Sequence, residues 1–164
     1  MAQFSRPATL DDLRTLIRAL DKQQTDYLLI GGWALLAHGF QRATVDIDLL
    51  VRADRVTGER VKKALLVLPD QAARDIDAAW FEGDDTIRVA DEFVVDVMFR
   101  ACGETYESLL PFEQRIDLDG VPVRTVSLQG LLKTKQTYRE KDALDRVLIE
   151  QALQRRQENS DPGS

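Results

Sequence analysis

The stretch Leu28–Val51, LLIGGWALLAHGFQRATVDIDLLV, decides the fold of this chain. An apolar run ends at Gly31 and Gly32, and a short helical segment follows. A second apolar run, which predicts a strand, contains Asp46 and Asp48. Their spacing of two puts both side chains on one face of that strand. Because a buried charge without a partner costs on the order of several kcal/mol, something must offset these carboxylates.

Size and charge indicate one soluble globular domain. The chain has 164 residues, of which 44% are hydrophobic and 30% charged, and we place one domain over residues 1–156 and a disordered tail over 157–164. The net charge of −6 disfavours non-specific coating of nucleic acid. The first residues lack the apolar segment of a secretion signal, and no run approaches the length of a membrane span. We therefore expect a cytoplasmic protein without a membrane partner.

The scarcity of cysteine and histidine limits the chemistry. Cys102 and His38 are the only residues of their types. An internal disulfide is excluded, and a zinc site of Cys and His ligands is disfavoured. Any metal chemistry is therefore expected to use carboxylates and hard cations.

The order of predicted elements indicates the fold class. A helix, a strand, a helix, a strand and a helix are followed by mostly antiparallel strands and then by helices. Thr9, with Asp12 three residues later, predicts the start of the first helix. Asp119 and Gly120 predict the turn of a hairpin. This order predicts an α+β fold, a mixed β-sheet with helices packed on it and a C-terminal helical segment.

Two further Asp-x-Asp pairs have ordinary explanations. Asp75 and Asp77 lie in a polar stretch, and Asp117 and Asp119 lead into the predicted hairpin turn. Such pairs usually lie on solvent-exposed strand faces or in turns. The pair at 46 and 48 differs because its surroundings are apolar.

A third carboxylate occurs in equally apolar surroundings. Asp96 lies in FVVDVMF, where Val95, Val97 and Phe99 share one face and Asp96 points to the other. If this strand neighbours the one that contains Asp46 and Asp48, three carboxylates converge on one patch of sheet. Their repulsion would be relieved by divalent cations, of which Mg²⁺ suits carboxylate and phosphate oxygens. That arrangement is typical of two-metal phosphoryl or nucleotidyl transfer.

The glycine pair has a general and a specific interpretation. Gly31 and Gly32 fit any tight strand-to-helix turn. They form neither a Rossmann fingerprint nor a P-loop. A turn without side chains at a helix N-terminus does, however, expose N–H groups suited to phosphate.

Together these segments resemble a known signature. GGWALLAHGFQRATVDIDL, followed by VVDVM, resembles the nucleotidyltransferase (polymerase-beta-like) superfamily, in which a glycine pair, about a dozen residues, Asp-x-Asp and a later carboxylate recur. Here thirteen residues, 33–45, separate Gly32 from Asp46, and Asp96 is the later carboxylate. The segments RATVDIDL and TKQTYREKDALD are similar to small bacterial nucleotidyltransferases of the abortive-infection and minimal toxin–antitoxin kind. The resemblance implies the nucleotidyltransferase fold.

The resemblance also implies roles for individual residues. Asp46, Asp48 and Asp96 would be catalytic and would bind Mg²⁺, with two ions expected. Asp96 would in addition activate the acceptor hydroxyl. Binding of the nucleotide would fall to a larger set: Gly31, Gly32, Arg42, Thr44, Lys135, Lys133 and Arg139, with Lys141.

The function expected from the resemblance is magnesium-dependent transfer of a nucleoside monophosphate from a nucleoside triphosphate, ATP among them, to an acceptor hydroxyl. Pyrophosphate would leave. RNA, a protein and a small molecule are all open as acceptors, and a partner protein or a homodimer is open as well. One alternative is a catalytically silent nucleotide-binding or antitoxin-like partner protein of the same fold. Another is a metal-dependent phosphodiesterase or nuclease, which the glycine pair disfavours.

Overall fold

The structure, a computed structural model, describes residues 5–42, 46–136 and 140–159, the side chains at 140 and 141 excepted. The helices are α1 Leu10–Lys22, α2 Gly31–Ala37, α3 Arg55–Leu65, α4 Tyr106–Leu109, α5 Leu128–Lys133 and α6 Glu140–Asn159. The strands are β1 Tyr27–Ile30, β2 Ile47–Val51, β3 Ile87–Ala90, β4 Val94–Met98, β5 Glu113–Leu118 and β6 Val121–Val126. Short 3₁₀ helices span Ala72–Asp75, Ala78–Glu82 and Leu110–Phe112.

Helix α1 begins where the sequence predicts. The Thr9 hydroxyl accepts a hydrogen bond from the backbone N–H of Asp12, and the Asp12 carboxylate accepts one from the backbone N–H of Thr9. Leu13, Leu16 and Leu20 recur at helical spacing and are fully buried. The capping box thus fixes the start of the helix, and its apolar face lies in the core.

The described strands form one mixed sheet in the order β3-β4-β2-β1-β6-β5. Strand β1 pairs antiparallel with β2 and parallel with β6, and β2 pairs parallel with β4. The two outer pairs, β3 with β4 and β5 with β6, are antiparallel. All four residues of β1 are buried, as expected for a central strand covered on both faces. The predicted α+β class with a mixed sheet is confirmed.

The β3–β4 edge of this sheet has one apolar and one polar face. Val89 on β3 and Val95 and Val97 on β4 are buried. Arg88 and Asp96 alternate with them and so project from the opposite face. The sheet therefore presents charged side chains on one face of this edge.

The two other Asp-x-Asp pairs serve local structure. Asp77 accepts a hydrogen bond from the backbone N–H of Ala79 and caps the 3₁₀ helix that follows. Asp117 accepts one from the backbone N–H of Gly120, and Asp119 has a φ of 49° in the hairpin turn. The carboxylates of Asp77 and Asp117 thus stabilise a cap and a turn, and Asp119 lies in the predicted hairpin turn.

The C-terminal segment is helical, as the sequence predicts. Helix α5 ends at Lys133, where a turn begins. Helix α6 continues to Asn159, three residues past the predicted domain boundary at 156. Among the described helices, none combines the length and apolarity that a membrane crossing requires.

Candidate active site

Asp48 and Asp96 lie opposite one another on two parallel strands. Strands β2 and β4 are neighbours, and their register pairs Asp48 with Asp96. Residues opposite one another on neighbouring strands project from the same face of a sheet. The two carboxylates therefore share one patch of the polar face.

A single row of residues crosses four strands at this level. Arg88 on β3 lies opposite Asp96. Asp48 lies opposite Ile30, the last residue of β1, and Gly31 follows as the first residue of α2. With neighbouring strands about 4.8 Å apart, the row spans about 14 Å from β1 to β3. The row connects the glycine pair at one end with an arginine at the other.

The guanidinium of Arg88 bridges two carboxylates. Its Nε donates to Asp96 Oδ1 at 3.0 Å, and its Nη2 donates to Asp96 Oδ2 at 3.2 Å and to Asp46 Oδ2 at 2.9 Å. The hydrogen bond to Asp96 and the charges of Asp96 and Asp46 raise the pKa of Arg88. The Arg88 side chain is 62% exposed and that of Asp96 14%, so the arginine covers the carboxylates from the solvent side.

Arg88 is the site residue that motif spacing does not reveal. The signal for it lies in the alternation of DTIRVA, in which Ile87 and Val89 are buried and Arg88 is exposed. Once β3 pairs antiparallel with β4, the polar side chains of the two strands must share a face. The facing of Arg88 and Asp96 therefore depends on a register that the sequence alone does not fix.

Gly31 lies against the carboxylate of Asp48. Its φ of +73° belongs to the left-handed region that favours glycine. A Cβ atom at this position would lie 3.0 Å from Cγ of Asp48 and closer still to Oδ2. Both the backbone angle and the close approach of the Asp48 carboxylate thus require glycine here.

Arg42 and Lys135, both predicted to bind nucleotide, meet in a buried ion-pair network with α6. Arg42 Nη1 forms a salt bridge with Asp145, and Lys135 Nζ lies 3.1 Å from Asp145 Oδ2 and 3.5 Å from Asp142 Oδ1. The side chains of Asp142 and Asp145 are fully buried, and that of Lys135 is 7% exposed. These charges therefore attach α6 to the segments after α2 and α5.

Three further side chains predicted to bind nucleotide, with Lys141, lie apart from this network or outside the described residues. Lys133 Nζ lies 3.9 Å from Glu104 Oε1 and 5.4 Å from the ring centroid of Phe112, and the side chain is half-exposed. Thr44 and Arg139 lie outside the described residues. The side chain of Lys141 is likewise outside the described part of the chain.

The donor set suits a hard cation, and one cationic group already lies between its members. Carboxylate oxygens of Asp46, Asp48 and Asp96 are the ligand type that Mg²⁺ prefers. The Arg88 guanidinium between Asp46 and Asp96 stands where a positive charge is needed. Within the described residues, no group of three acidic, histidine or cysteine side chains is arranged to hold a metal. A divalent cation bound by Asp46 and Asp96 would compete with Arg88 for their oxygens.

Comparison with known proteins identifies the fold. No protein-family model matches the sequence, and no curated protein matches it. Among solved structures, the crystal structure of a candidate nucleotidyltransferase from Thermotoga maritima is similar with a TM-score of 0.51, at 15% identity over 90% of this chain and 90% of that one. The chain has the nucleotidyltransferase fold. At this identity the likeness concerns the fold.

Within this nucleotidyltransferase fold, the predicted site residues form two groups. Asp48 and Asp96 lie in the cross-strand row, Gly31 lies at its β1 end, and Asp46 is joined to it through Arg88. Gly32 follows Gly31 as the second residue of α2. The second group is the network of Arg42 and Lys135 with α6 described above.

Proposed function

We propose that the chain transfers a nucleoside monophosphate from a nucleoside triphosphate to an acceptor hydroxyl, with release of pyrophosphate. One observation carries this proposal, namely the pairing of Asp48 with Asp96 across parallel strands while Gly31 lies against Asp48. It combines a carboxylate pair with an adjacent turn that has no side chain. Nucleotidyl transfer needs both features. The carboxylates act at the reacting phosphate, and the turn binds the rest of the triphosphate.

Each of these residues has a separate role in the proposed reaction. The acceptor oxygen attacks the α-phosphorus, and the bond from that phosphorus to the bridging β-oxygen breaks, so that pyrophosphate carries away the bonding electron pair. Asp96 accepts the hydroxyl proton and later releases it to solvent. Backbone N–H groups at Gly31 and Gly32 hold the triphosphate beside Asp48. Rate enhancement then comes chiefly from positioning of the two reactants.

Magnesium is the proposed cofactor, with Asp46, Asp48 and Asp96 as its ligands. When bound, Mg²⁺ neutralises charge on the phosphates and on the carboxylates. With the cation held by these carboxylates, Arg88 would be available to contact solvent or phosphate oxygens. Arg42 and Lys135 are already paired with Asp145, and both side chains are largely buried. We therefore assign these two residues primarily to the attachment of α6.

A binding-only role is the second candidate. It is favoured by the salt bridges from Arg88 to Asp46 and Asp96, which occupy carboxylate oxygens that a cation would need. In this case the protein would bind nucleotide without turning it over. A regulatory or antitoxin-like partner protein would have this behaviour.

The experiment measures binding and turnover separately. Calorimetry with each nucleoside triphosphate and MgCl₂ measures binding, and pyrophosphate release measures turnover in the presence of total RNA, cell protein or a small-molecule panel. We expect Asp48→Asn and Asp96→Asn to abolish pyrophosphate release. Asp117→Asn, in the hairpin turn, is the matched control and should leave it unchanged.

The outcomes separate the candidates. Triphosphate binding without pyrophosphate release in any mixture would support the binding-only role. Release of nucleoside monophosphate instead of pyrophosphate would support a phosphodiesterase or nuclease. Retention of full turnover by both Asn variants would overturn the assignment of the site.

A further inference from the structure

A cleft opens at the β3 end of the cross-strand row. Its volume is about 510 Å³, and its lining includes Trp80, Gly83, Asp85, Thr86 and Arg88. Arg88 belongs to the cleft wall and, through its hydrogen bonds, to the carboxylate site. A molecule in the cleft would therefore contact the arginine that binds Asp96.

Trp80 is exposed on a firmly held segment. Its side chain lies on the 3₁₀ helix Ala78–Glu82, and the residue is 51% exposed. The next residue, Phe81, is fully buried and packs edge-to-face on Phe99, with ring centroids 5.2 Å apart. A Cβ atom at Gly58 of α3 would lie 2.8 Å from the Phe81 ring, so α3 packs closely against this segment. The indole of Trp80 is thus presented to solvent by a backbone that has little freedom to withdraw it.

The cross-strand row relates the location of the cleft to that of the groups that react in the proposed function. In the proposed function the triphosphate lies at the Gly31 end, and Asp96 receives the proton of the acceptor. The cleft lies on the other side of Asp96, beyond Arg88. This is the side from which an acceptor hydroxyl would approach, since the triphosphate occupies the other.

The charges of the cleft disfavour phosphate. Asp85 lines it and is exposed, whereas Arg88 is engaged with Asp96 and Asp46. The nearby Arg100 lies 3.4 Å from Asp84. A nucleic-acid strand, which relies on cationic contacts to its phosphates, is poorly matched to such a surface. A ring with hydroxyl or amino groups suits it better, because an indole offers an apolar face and Asp85 accepts hydrogen bonds.

We propose that the Trp80 cleft binds the acceptor, and that this acceptor is a small hydroxylated ring compound without phosphate, whose ring lies on the Trp80 indole while a hydroxyl approaches Asp96. The acceptor role rests on the proposed function. The binding of the ring does not, because it depends only on Trp80 and Asp85.

Nuclear magnetic resonance tests this binding directly. The chain has two tryptophans, so two indole N–H signals are expected, and Trp80→Phe assigns them. Methyl glucoside and myo-inositol are the ring probes, and sorbitol is the open-chain control with comparable hydroxyls. We expect both ring probes to shift the Trp80 signal saturably, while the buried Trp33 signal stays in place. A comparable shift with sorbitol, or no shift with either ring probe, would overturn the proposal.

Substitutions separate stacking from folding. Measured by ligand-observed resonance, methyl glucoside affinity should fall at least about tenfold in Trp80→Ala and stay within about threefold in Trp80→Phe, which keeps an aromatic face. Val67→Ala, another exposed apolar residue, is the control and should leave affinity unchanged. Unchanged affinity in Trp80→Ala would exclude the cleft.

This experiment contains neither nucleotide nor metal, so its result is independent of turnover. If the ring probes bind at Trp80 and no mixture releases pyrophosphate, the cleft is a binding site and its acceptor role is wrong. If pyrophosphate is released and Trp80→Ala does not alter the KM for the acceptor mixture, the acceptor binds elsewhere.

Discussion

At the scale of single residues, the candidate site combines three negatively charged carboxylates with one arginine. Asp48 has Gly31 on one side and Asp96, on the neighbouring strand β4, on the other. Asp96 and Asp46 share the guanidinium of Arg88. Because like charges at this range repel, removal of the arginine leaves a site that favours any other cation.

Replacement of Arg88 should therefore expose the metal preference of the site. In Arg88→Gln we expect a lower melting temperature without metal and a larger rise on addition of MgCl₂ than in the unaltered protein. Thermal unfolding with and without MgCl₂ measures both. Arg100→Gln removes a surface arginine that pairs with Asp84 and is the control. An equal response to MgCl₂ in both variants would contradict a cation site at Asp46 and Asp96.

Gly31 should tolerate substitution less well than a glycine with the same backbone strain and free space. Gly31→Ala adds a methyl group against Asp48, whereas Gly39 has a φ of +93° and no atom within 4 Å of an added Cβ. We expect Gly31→Ala to cost about 1–3 kcal/mol more free energy of unfolding than Gly39→Ala. Urea denaturation of the two variants measures the difference. Equal losses would mean that strain alone restricts position 31.

At the scale of elements, the attachment of α6 depends on buried charge. Asp145 is fully buried and binds both Arg42 and Lys135, which come from two separate segments. Loss of one member of such a network leaves buried charges uncompensated. Loss of one charge from this network should therefore weaken the attachment of the whole helix.

We expect Asp145→Ala to lower the free energy of unfolding by about 3–5 kcal/mol. Asp11→Ala, which removes an exposed partner of Arg14, should cost less than about 1 kcal/mol. Urea denaturation measures both variants. A small loss in Asp145→Ala would show that α6 is held by its apolar contacts.

The contact between α2 and β6 predicts a dependence of stability on pH. His38, at the end of α2, is half-buried, and its Nε2 lies 2.8 Å from the carbonyl oxygen of Val126. Burial lowers the pKa of His38 below its usual 6.5. The unfolded chain therefore binds this proton more readily, so the stability is present above about pH 6.5 and is lost as pH falls through the lower pKa. His38→Gln should flatten the change in urea midpoint between about pH 7.5 and about pH 5.5.

The elements also show what the sequence can and cannot predict. The cap at Thr9, the hairpin turn at Gly120 and the strand around Asp96 follow from local patterns, and the structure has all three. The bridge from Arg88 does not follow, because it requires a strand register set by packing at a distance. The engagement of Arg42 with Asp145 joins residues 103 apart in the chain, and no local pattern indicates such a pair.

At the scale of the whole molecule, the site depends on the order of the strands. Strand β2 contributes Asp48, and β4, reached only after α3 and β3, contributes Asp96. Parallel pairing of β2 with β4 brings the two together. The four strands β1 to β4 must therefore be paired before the candidate site exists.

The cross-strand row makes the site sensitive to deletions of a single residue. Side chains alternate between the two faces of a strand, so a shift of β2 by one position would turn Asp48 toward the core and Ile47 toward solvent. The same one-residue change in the hairpin between β5 and β6 would leave the row intact. Loss or gain of one residue within β2 would thus disrupt the proposed ligand site, whereas the β5–β6 hairpin lies outside the row.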